Sequence, residues 1–472
     1  MTGGRPPRQE IWTDLAESTI RGRPMVLVGI GVDQMRDFQR LGADVLGAIS
    51  LLPVGLPPYE PQERFPVLAL TGVTRNIFDF VARDFAESCL RNASRIREFL
   101  GSVDPGCEAT VVSYSPAPSS VLAGREAWAQ DSAVSRPLEE KGAISPFPEA
   151  LPFITAELVD WPLTRRTWDE LCRRFSVSRL VLQTVGLSAG GRGTSIADSF
   201  AQVAGAFEGE DVRQARVTPY IDGVPCNVMG SVVDADRTIV FPPSTQLVQF
   251  HPGGSPVYGG NEFGDLWRDD ELEEIASEIR NLGRLLGQRG LVGPFGVDFI
   301  RDRSGRRHYH DLNPRMNGSV DNLSLYLADG GAEPLRVLLL CRRQWSSTEV
   351  ADLEAQLRSL VRQYPMSRYF LTREVADGFR AERVPAGGVW DVSLHGDGAG
   401  GLNLTLEPEK KAFTDLSDRE CILRPTLAPG TRLERGERLF LGDLYCTPVL
   451  SRRLRDRFGA EVHQVLVDAL LR

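Results

Sequence analysis

Apolar residues change their period along the chain, and the changes mark its elements. Pro24 to Gly31 is a continuous apolar run ending in a glycine turn, with a helix expected from about Asp33. A strand near Val67 to Leu70 follows, then a helix from about Asn76 to Leu100 striped by Ile77, Phe78, Val81, Phe85, Ile96 and Phe99, then a strand from Ala109 to Tyr114. This alternation predicts an α/β layer. The Pro- and Ser-rich stretch Ser115 to Ser120 reads as a loop near a domain boundary. Arg179 to Gln183 is the next apolar strand, and a Gly-rich segment leads from it into a helix carrying Ile196, Phe200 and Val203. Ala215 to Gly223 reads as strand and turn, Asn227 to Val233 as a second strand, and Val257 to Phe263 as a loop. A helix from about Arg268 to Gly287 opens on Asp269-Asp270 and is striped by Leu272, Ile275, Ile279, Leu282 and Leu286. Pro294 to Arg301 and Arg307 to Asn313 alternate apolar and polar residues around a Ser304-Gly305 turn, which predicts a β-hairpin. Beyond about 350, short strands and glycines predict a compact β-rich module.

Composition narrows the class. With 472 residues and 42% apolar content the chain can bury several cores, and no apolar run reaches the roughly 20 residues of a membrane span. No secretory signal core is visible behind Met1, so a cytoplasmic location is expected, without a membrane partner. Seven scattered cysteines with no Cys-x-x-Cys pair indicate reduced thiols rather than a zinc site or disulfide framework. A net charge of −9 gives no general attraction to nucleic acid, and Ser451-Arg452-Arg453-Leu454-Arg455 reads as solvated helix surface. Gly29-x-Gly31 lacks the third glycine of a dinucleotide fingerprint, since Gln34 stands there.

The hairpin carries the candidate chemistry. If Ser304-Gly305 is a two-residue turn, Asp298 lies directly opposite Asp311. Side chains two apart share a face, so Asn313 and Arg315 join the two carboxylates while His308, His310 and Leu312 point to the other side. Facing like charges destabilise a sheet, and a hard cation such as Mg²⁺ neutralises them, taking the Asn313 carbonyl as a further ligand. Arg315 beyond them suggests phosphate. The second signal is Gly186 to Thr194: Gly190, Gly191 and Gly193 free backbone N–H groups to turn toward phosphate oxygens, and Arg192 and Thr194 add a charge and a hydroxyl. It is not a P-loop, which needs Gly-Lys-Ser/Thr. Tyr258, Asn261 and Glu262 are candidates for substrate contact.

The order apolar-Asp-Phe-Ile, turn, Tyr-His-Asp-Leu-Asn-Pro-Arg, then Asn317-Gly318-Ser319, together with strand, Gly-rich loop and helix a little over a hundred residues earlier, resembles the ATP-grasp superfamily of carboxylate-amine ligases. The resemblance covers Lys141 to Ser319. It implies two α+β subdomains gripping ATP, a lid subdomain at about 140–220 and a metal-hairpin subdomain at about 221–350 within a domain of residues 126–350. A Rossmann-like domain of residues 1–125 precedes it and a β-rich cap of residues 351–472 follows. It implies ATP and Mg²⁺ as cofactors, Asp298, Asp311 and Asn313 as metal ligands, and Arg315 as the group that steadies the transferred phosphoryl. It places Lys141 and Gln183 at phosphate-reaching positions, the backbone of Thr218, Pro219, Tyr220 and Ile221 against adenine, and Asn317, Gly318 and Ser319 with substrate.

Three positions depart from the family pattern. Asp311 stands where Glu is usual, Pro225 where a ribose-binding Glu is usual, and Gln183 where a strand lysine is usual. Only Lys141, Lys410 and Lys411 are lysines, so the missing charge falls to Arg192, Lys141 or another arginine. The implied reaction joins a carboxylic acid or amino acid to an amine or peptide through an acylphosphate, with a homodimer possible. Gln183, the Gly-Gly-Arg-Gly-Thr loop, the Tyr-Gly-Gly-Asn-Glu-Phe stretch and the C-terminal module are together similar to the pheganomycin-type peptide ligases of antibiotic biosynthesis. A dipeptide ligase of other specificity and a non-catalytic ATP-binding regulator remain open alternatives.

Overall fold

A computed structural model describes residues 9–471 apart from 30–35, 52–64, 72–81, 142–146, 148, 187–192, 208–210, 251–255, 265, 329–332, 376, 381–384, 395–401, 408–412, 426–431, 434 and 436–437. The chain opens on a five-stranded parallel sheet whose central strand is Pro24–Gly29, flanked by Asp44–Ser50 and Thr110–Ser113. That strand is apolar on both faces because helices cover both. Val26, Val28, Ile49 and Val111 pack with Phe85, Ile96 and Leu100 on one side. Met25, Leu27 and Ala48 share a core with Trp12, Ile20, Phe38 and the helix Pro334–Leu340 on the other. The N-terminal layer is thereby welded to the rest of the molecule.

The long helix expected over Asn76 to Leu100 is two helices, Ala82–Arg91 and Ala93–Val103. Asn92 breaks it by donating its side-chain amide to the Ser88 carbonyl at 2.8 Å, a local bond that competes with helix continuation. Ile77, Phe78 and Val81 lie outside the described residues. The helix placed from about Asp33 is described over Arg36–Arg40.

A four-stranded antiparallel sheet follows, ordered Glu157–Asp160, Gln214–Pro219, Leu180–Thr184, Thr194–Ala197. Ile196, expected in a helix, is in this last strand, and the helix after it runs only Phe200–Val203. Pairing of Gln183 with Thr194 claims the segment for the sheet.

Among the described residues eleven strands form the central sheet. Its order runs Arg307–Asn313, Gly293–Asp302, Gly223–Val232, Ser244–Phe250, Pro256–Phe263, Met366–Glu374, Arg438–Cys446, Glu420–Pro425, Gly388–Leu394, Leu402–Leu406, with Thr238–Val240 pairing Gly223–Val232 to the side. The loop expected at Val257 to Phe263 is thus a strand. One face is covered by the helix Asp269–Gln288, whose Ile275, Ile279, Leu282 and Leu286 pack on Val228, Val232, Phe295 and Val297. Its start is held by Asp270, which accepts the Glu271 backbone N–H at 3.0 Å, together with Glu271, which accepts the Arg268 backbone N–H at 3.1 Å. Most strands after 366 continue this same sheet, Phe379–Arg380 and Arg432–Leu433 forming a small pair of their own, and the last helices described are Pro448–Phe458 and Val462–Leu471. Among the described residues no helix is long and apolar enough to cross a membrane. All seven cysteines are free thiols.

Candidate functional site

The hairpin Gly293–Asp302/Arg307–Asn313 does place Asp298 opposite Asp311, by a route different from the expected one. Its turn is the longer loop Arg303-Ser304-Gly305, closed by bonds from Ser304 and Arg306 to the Asp302 carboxylate, with Gly305 at φ +86°. This is the three-residue hairpin with a left-handed glycine. Near the turn Arg301 faces Arg307 and Phe299 faces Tyr309; a bulge at His310 then adds one residue and restores Asp298 to Asp311. Leu312 points into the core as expected. His310 does not. The bulge turns it to the same side as Asp311, and His308, opposite Ile300, also lies on that side rather than the other.

That side is one wall of a cavity of about 790 Å³ between the central sheet and the four-stranded sheet. Asp298 sits among amides: Oδ1 accepts from Asn227 at 2.6 Å and Gln246 at 2.9 Å, and Oδ2 from Asn313 at 3.1 Å. Burial first, and the Asp311 charge second, push its carboxyl up to about 6. Lys141 lines the cavity with Nζ 4.0 Å from Asp311. Arg315 is held at Nε by Glu139 at 2.6 Å and at Nη2 by Asn313 Oδ1 at 3.2 Å. Burial opposes its charge, and the ion pair with Glu139 more than offsets that and raises its pKa. The Asn317-Gly318-Ser319 turn joins through Asn227, whose Oδ1 accepts from Asn317 at 3.1 Å and Ser319 at 3.1 Å. Gly296 makes room for it, since a Cβ there would collide with the Asn317 amide.

The opposite wall comes from the smaller sheet. Gln183, Thr194, Thr218, Pro219, Tyr220 and Ile221 all line the cavity. Gln183 is not free to act alone: its Oε1 accepts from Arg216 Nη1 at 2.5 Å, and its Nε2 lies 3.4 Å from Thr194 Oγ1. Arg216 is buried at 4% exposure, also donates to the His310 carbonyl at 3.2 Å, and has its pKa lowered by burial against the pull of Asp311. Burial likewise lowers His310 to about 4, so its imidazole is neutral at physiological pH. Gly193 adopts φ +65°, a left-handed backbone that suits glycine, where the strand Thr194–Ala197 begins. Gly190, Gly191 and Arg192 lie outside the described residues.

Tyr258 and Asn261 line the cavity too, with the tyrosine hydroxyl donating to Asn261 and Asn261 donating to Ser244 at 2.8 Å. Glu262 is not among the lining residues; its carboxylate is taken by Ser367 at 2.8 Å and Arg455 at 3.0 Å. Arg455, read from sequence as solvated surface, lines the cavity instead. Arg216, Asn227, Gln246, Glu139 and Arg455 are the residues that sequence reasoning missed. A polar residue inside an apolar strand, as Arg216 is between Ala215 and Val217, was the available signal.

No protein-family profile matches the chain, and no curated protein is significantly similar to it. Solved structures do match it. The ADP complex of N5-carboxyaminoimidazole ribonucleotide synthetase is 12% identical over 95% of this chain and 98% of that one, with a TM-score of 0.53. The biotin carboxylase domain of the Hydrogenobacter thermophilus 2-oxoglutarate carboxylase, bound to MgADP, ADP and bicarbonate, is 10% identical over 92% and 89%, at 0.56. The L-amino acid ligase from Bacillus licheniformis is 12% identical over 93% and 98%, at 0.53. The chain has the ATP-grasp fold.

Proposed function

We propose that this chain is an ATP-dependent carboxylate-amine ligase working in the cavity between the two sheets. The observation that carries the reading is the Asp298/Asp311 pair: two facing carboxylates, one of them bonded only to amides, in a cavity that also holds Arg315, Arg216 and Lys141. The donor set fits a hard divalent cation, because Asp298, Asp311 and Asn313 offer oxygen and no soft ligand. Among the described residues no group of three or more His, Cys, Asp and Glu side chains is placed to hold a metal, so further ligands would be phosphate and water. Asp298, Asp311 and Asn313 would hold Mg²⁺, which when bound neutralises phosphate charge. Solved structures of the same fold with ADP, ATP or MgADP support a nucleotide in this cleft.

The remaining roles follow from charge and position. Arg216 replaces the cation that Gln183 does not supply, and Gln183 and the His310 carbonyl fix its guanidinium. Lys141 adds a second charge on the same phosphates. Thr218 to Ile221 present backbone to the base. A substrate carboxylate takes the terminal phosphoryl group of ATP to give an acylphosphate and ADP; Arg315 stabilises the charge on the moving phosphoryl group. An amine then attacks the acyl carbon and expels phosphate, leaving an amide. Within this class we favour ligation of an amino acid to the amino end of a peptide, as in the pheganomycin-type ligases that the sequence resembles. Incubation with ATP, Mg²⁺ and panels of acids, amino acids and peptides, followed by mass spectrometry, tests it. Condensed products matched by ADP support the proposal; nucleotide binding with no ADP release against any pair contradicts it.

A further inference from the structure

The cavity does not stop at the carboxylate pair. Four strand steps separate Asp298 from Phe370 in the central sheet, roughly 20 Å at ordinary strand spacing. There Phe370 meets Tyr258 ring to ring, centroids 5.4 Å apart, with Phe440 behind it at 4.4 Å, while the Tyr258 hydroxyl reaches back toward Gly318 and the carboxylate site. The facing wall is the corner between the two C-terminal helices, where Gly459 and Ala460 are small and exposed and Val462 is buried. Its one arginine, Arg455, is matched by Glu262 at 3.0 Å. The imidazole of His463 gives its Nε2 to the Gly259 carbonyl at 2.8 Å. The wall therefore offers rings and aliphatic carbon, with its charge already neutralised.

We infer that this end is a subsite for a large apolar side chain, of the size of a phenyl ring, on the organic substrate joined at the carboxylate pair. The inference rests on the ligase reading for what the substrate undergoes, and on the cavity wall alone for what it looks like. Rings recognise rings through edge and face contacts, and small residues at the helix corner leave the space that a phenyl group fills. A very small side chain would leave the aromatic pair wet and gain nothing from it.

The test uses the full chain with MgADP present. L-phenylalanine amide and N-acetyl-L-phenylalanine separate an amine substrate from a carboxylate one; glycine amide and N-acetylglycine are the size controls. Binding is read by ligand-observed NMR on the native chain, on Ala460→Trp, which fills the corner, and on Phe370→Ala, which removes the platform from the opposite wall. The expected result is binding of a phenylalanine probe at least tenfold tighter than its glycine counterpart, lost tenfold or more in either variant, with ADP affinity unchanged. Phenylalanine and glycine probes that bind alike or not at all, or variants that weaken every probe equally, would overturn the subsite. Selective phenylalanine binding in a chain that, given ATP and Mg²⁺, releases no ADP with any acid and amine would overturn the ligase reading and leave the subsite standing.

Discussion

Two sets of buried and half-buried acids meet at the Asn317-Gly318-Ser319 turn, and they are partnered differently. On one side Asp298 is bonded to three amides, and Asp311 pairs with Lys141 at 4.0 Å. On the other, Arg368 donates to the Gly318 carbonyl and to Asp443 and Asp321 at 2.8 and 2.9 Å. Arg336 pairs with Asp321, Asp37 and Glu333, and Arg424 with Glu333. These arginines tie the N-terminal layer, the helix Pro334–Leu340 and the C-terminal strands together. Burial raises Asp37 and Asp443 to about 6 as it does Asp298, so a raised carboxyl does not by itself mark a cation site. The partners do. Arginine forks complete a structural junction, whereas amides steer carboxylate oxygens without neutralising them and leave the charge for a ligand.

Breaking the junction should have the largest effect. Arg336→Ala leaves Asp37, Asp321 and Glu333 buried with less compensation, and should cost about 3–5 kcal/mol in urea unfolding. Arg315→Ala removes a charge from the other region, where the proposed reaction needs it as the phosphoryl group moves. It should lower kcat on the order of 10²-fold or more, with unfolding changed far less. Asp298→Asn sharpens the contrast by sign. The folded carboxyl titrates near 6 and the unfolded one near 3.8, so the folded charge carries a cost that is full above about pH 6 and gone below about 3.8. The Asn variant should therefore be more stable at pH 7, by at most about 3 kcal/mol, and should lose that advantage as pH falls toward 4, while its activity is abolished. Thermal unfolding across pH reads this directly, and a destabilised Asn variant at pH 7 would break the comparison. The smallest effect is expected of Gln183→Ala, which loosens Arg216 by one hydrogen bond and should weaken ATP binding by about 0.5–1.5 kcal/mol in calorimetry.

Much of the candidate site's layout was legible because its residues are local. Asp298, Asp311, Asn313 and Arg315 belong to one hairpin, and strand alternation alone aligns most of them. The same rule misplaced His308 and His310, because nothing in the residues announces a bulge, and its one-residue shift cancelled a misjudged turn length. Arg216, Gln246 and Asn227 were missed for a different reason. Asn227 and Gln246 reach Asp298, and Arg216 the His310 carbonyl, because the fold brings distant segments together, as Gly223–Val232 with Gly293–Asp302, and sequence spacing carries no record of that. Glu262 was placed with substrate on its charge, yet Arg455, almost two hundred residues on, claims it. In the fold, the apolar strand Pro24–Gly29 and the striped helix Asp269–Gln288 were plain. The continuation of one sheet from Pro256–Phe263 into the C-terminal strands was not, since a shared sheet edge leaves no periodic mark.

The central claim is that the Asp298/Asp311 pair holds a divalent cation on a nucleotide, and calorimetric titration of ADP with and without Mg²⁺, at pH 7 and pH 5, tests it most directly. Because Asp298 takes up a proton as pH falls through about 6, the cation should be held at pH 7 and weakened at pH 5. The account predicts ADP affinity at least tenfold higher with Mg²⁺ at pH 7, a gain that shrinks at pH 5 and vanishes in Asp311→Asn. ADP binding that is indifferent to Mg²⁺ at pH 7, or a Mg²⁺ effect that survives in Asp311→Asn, would contradict it.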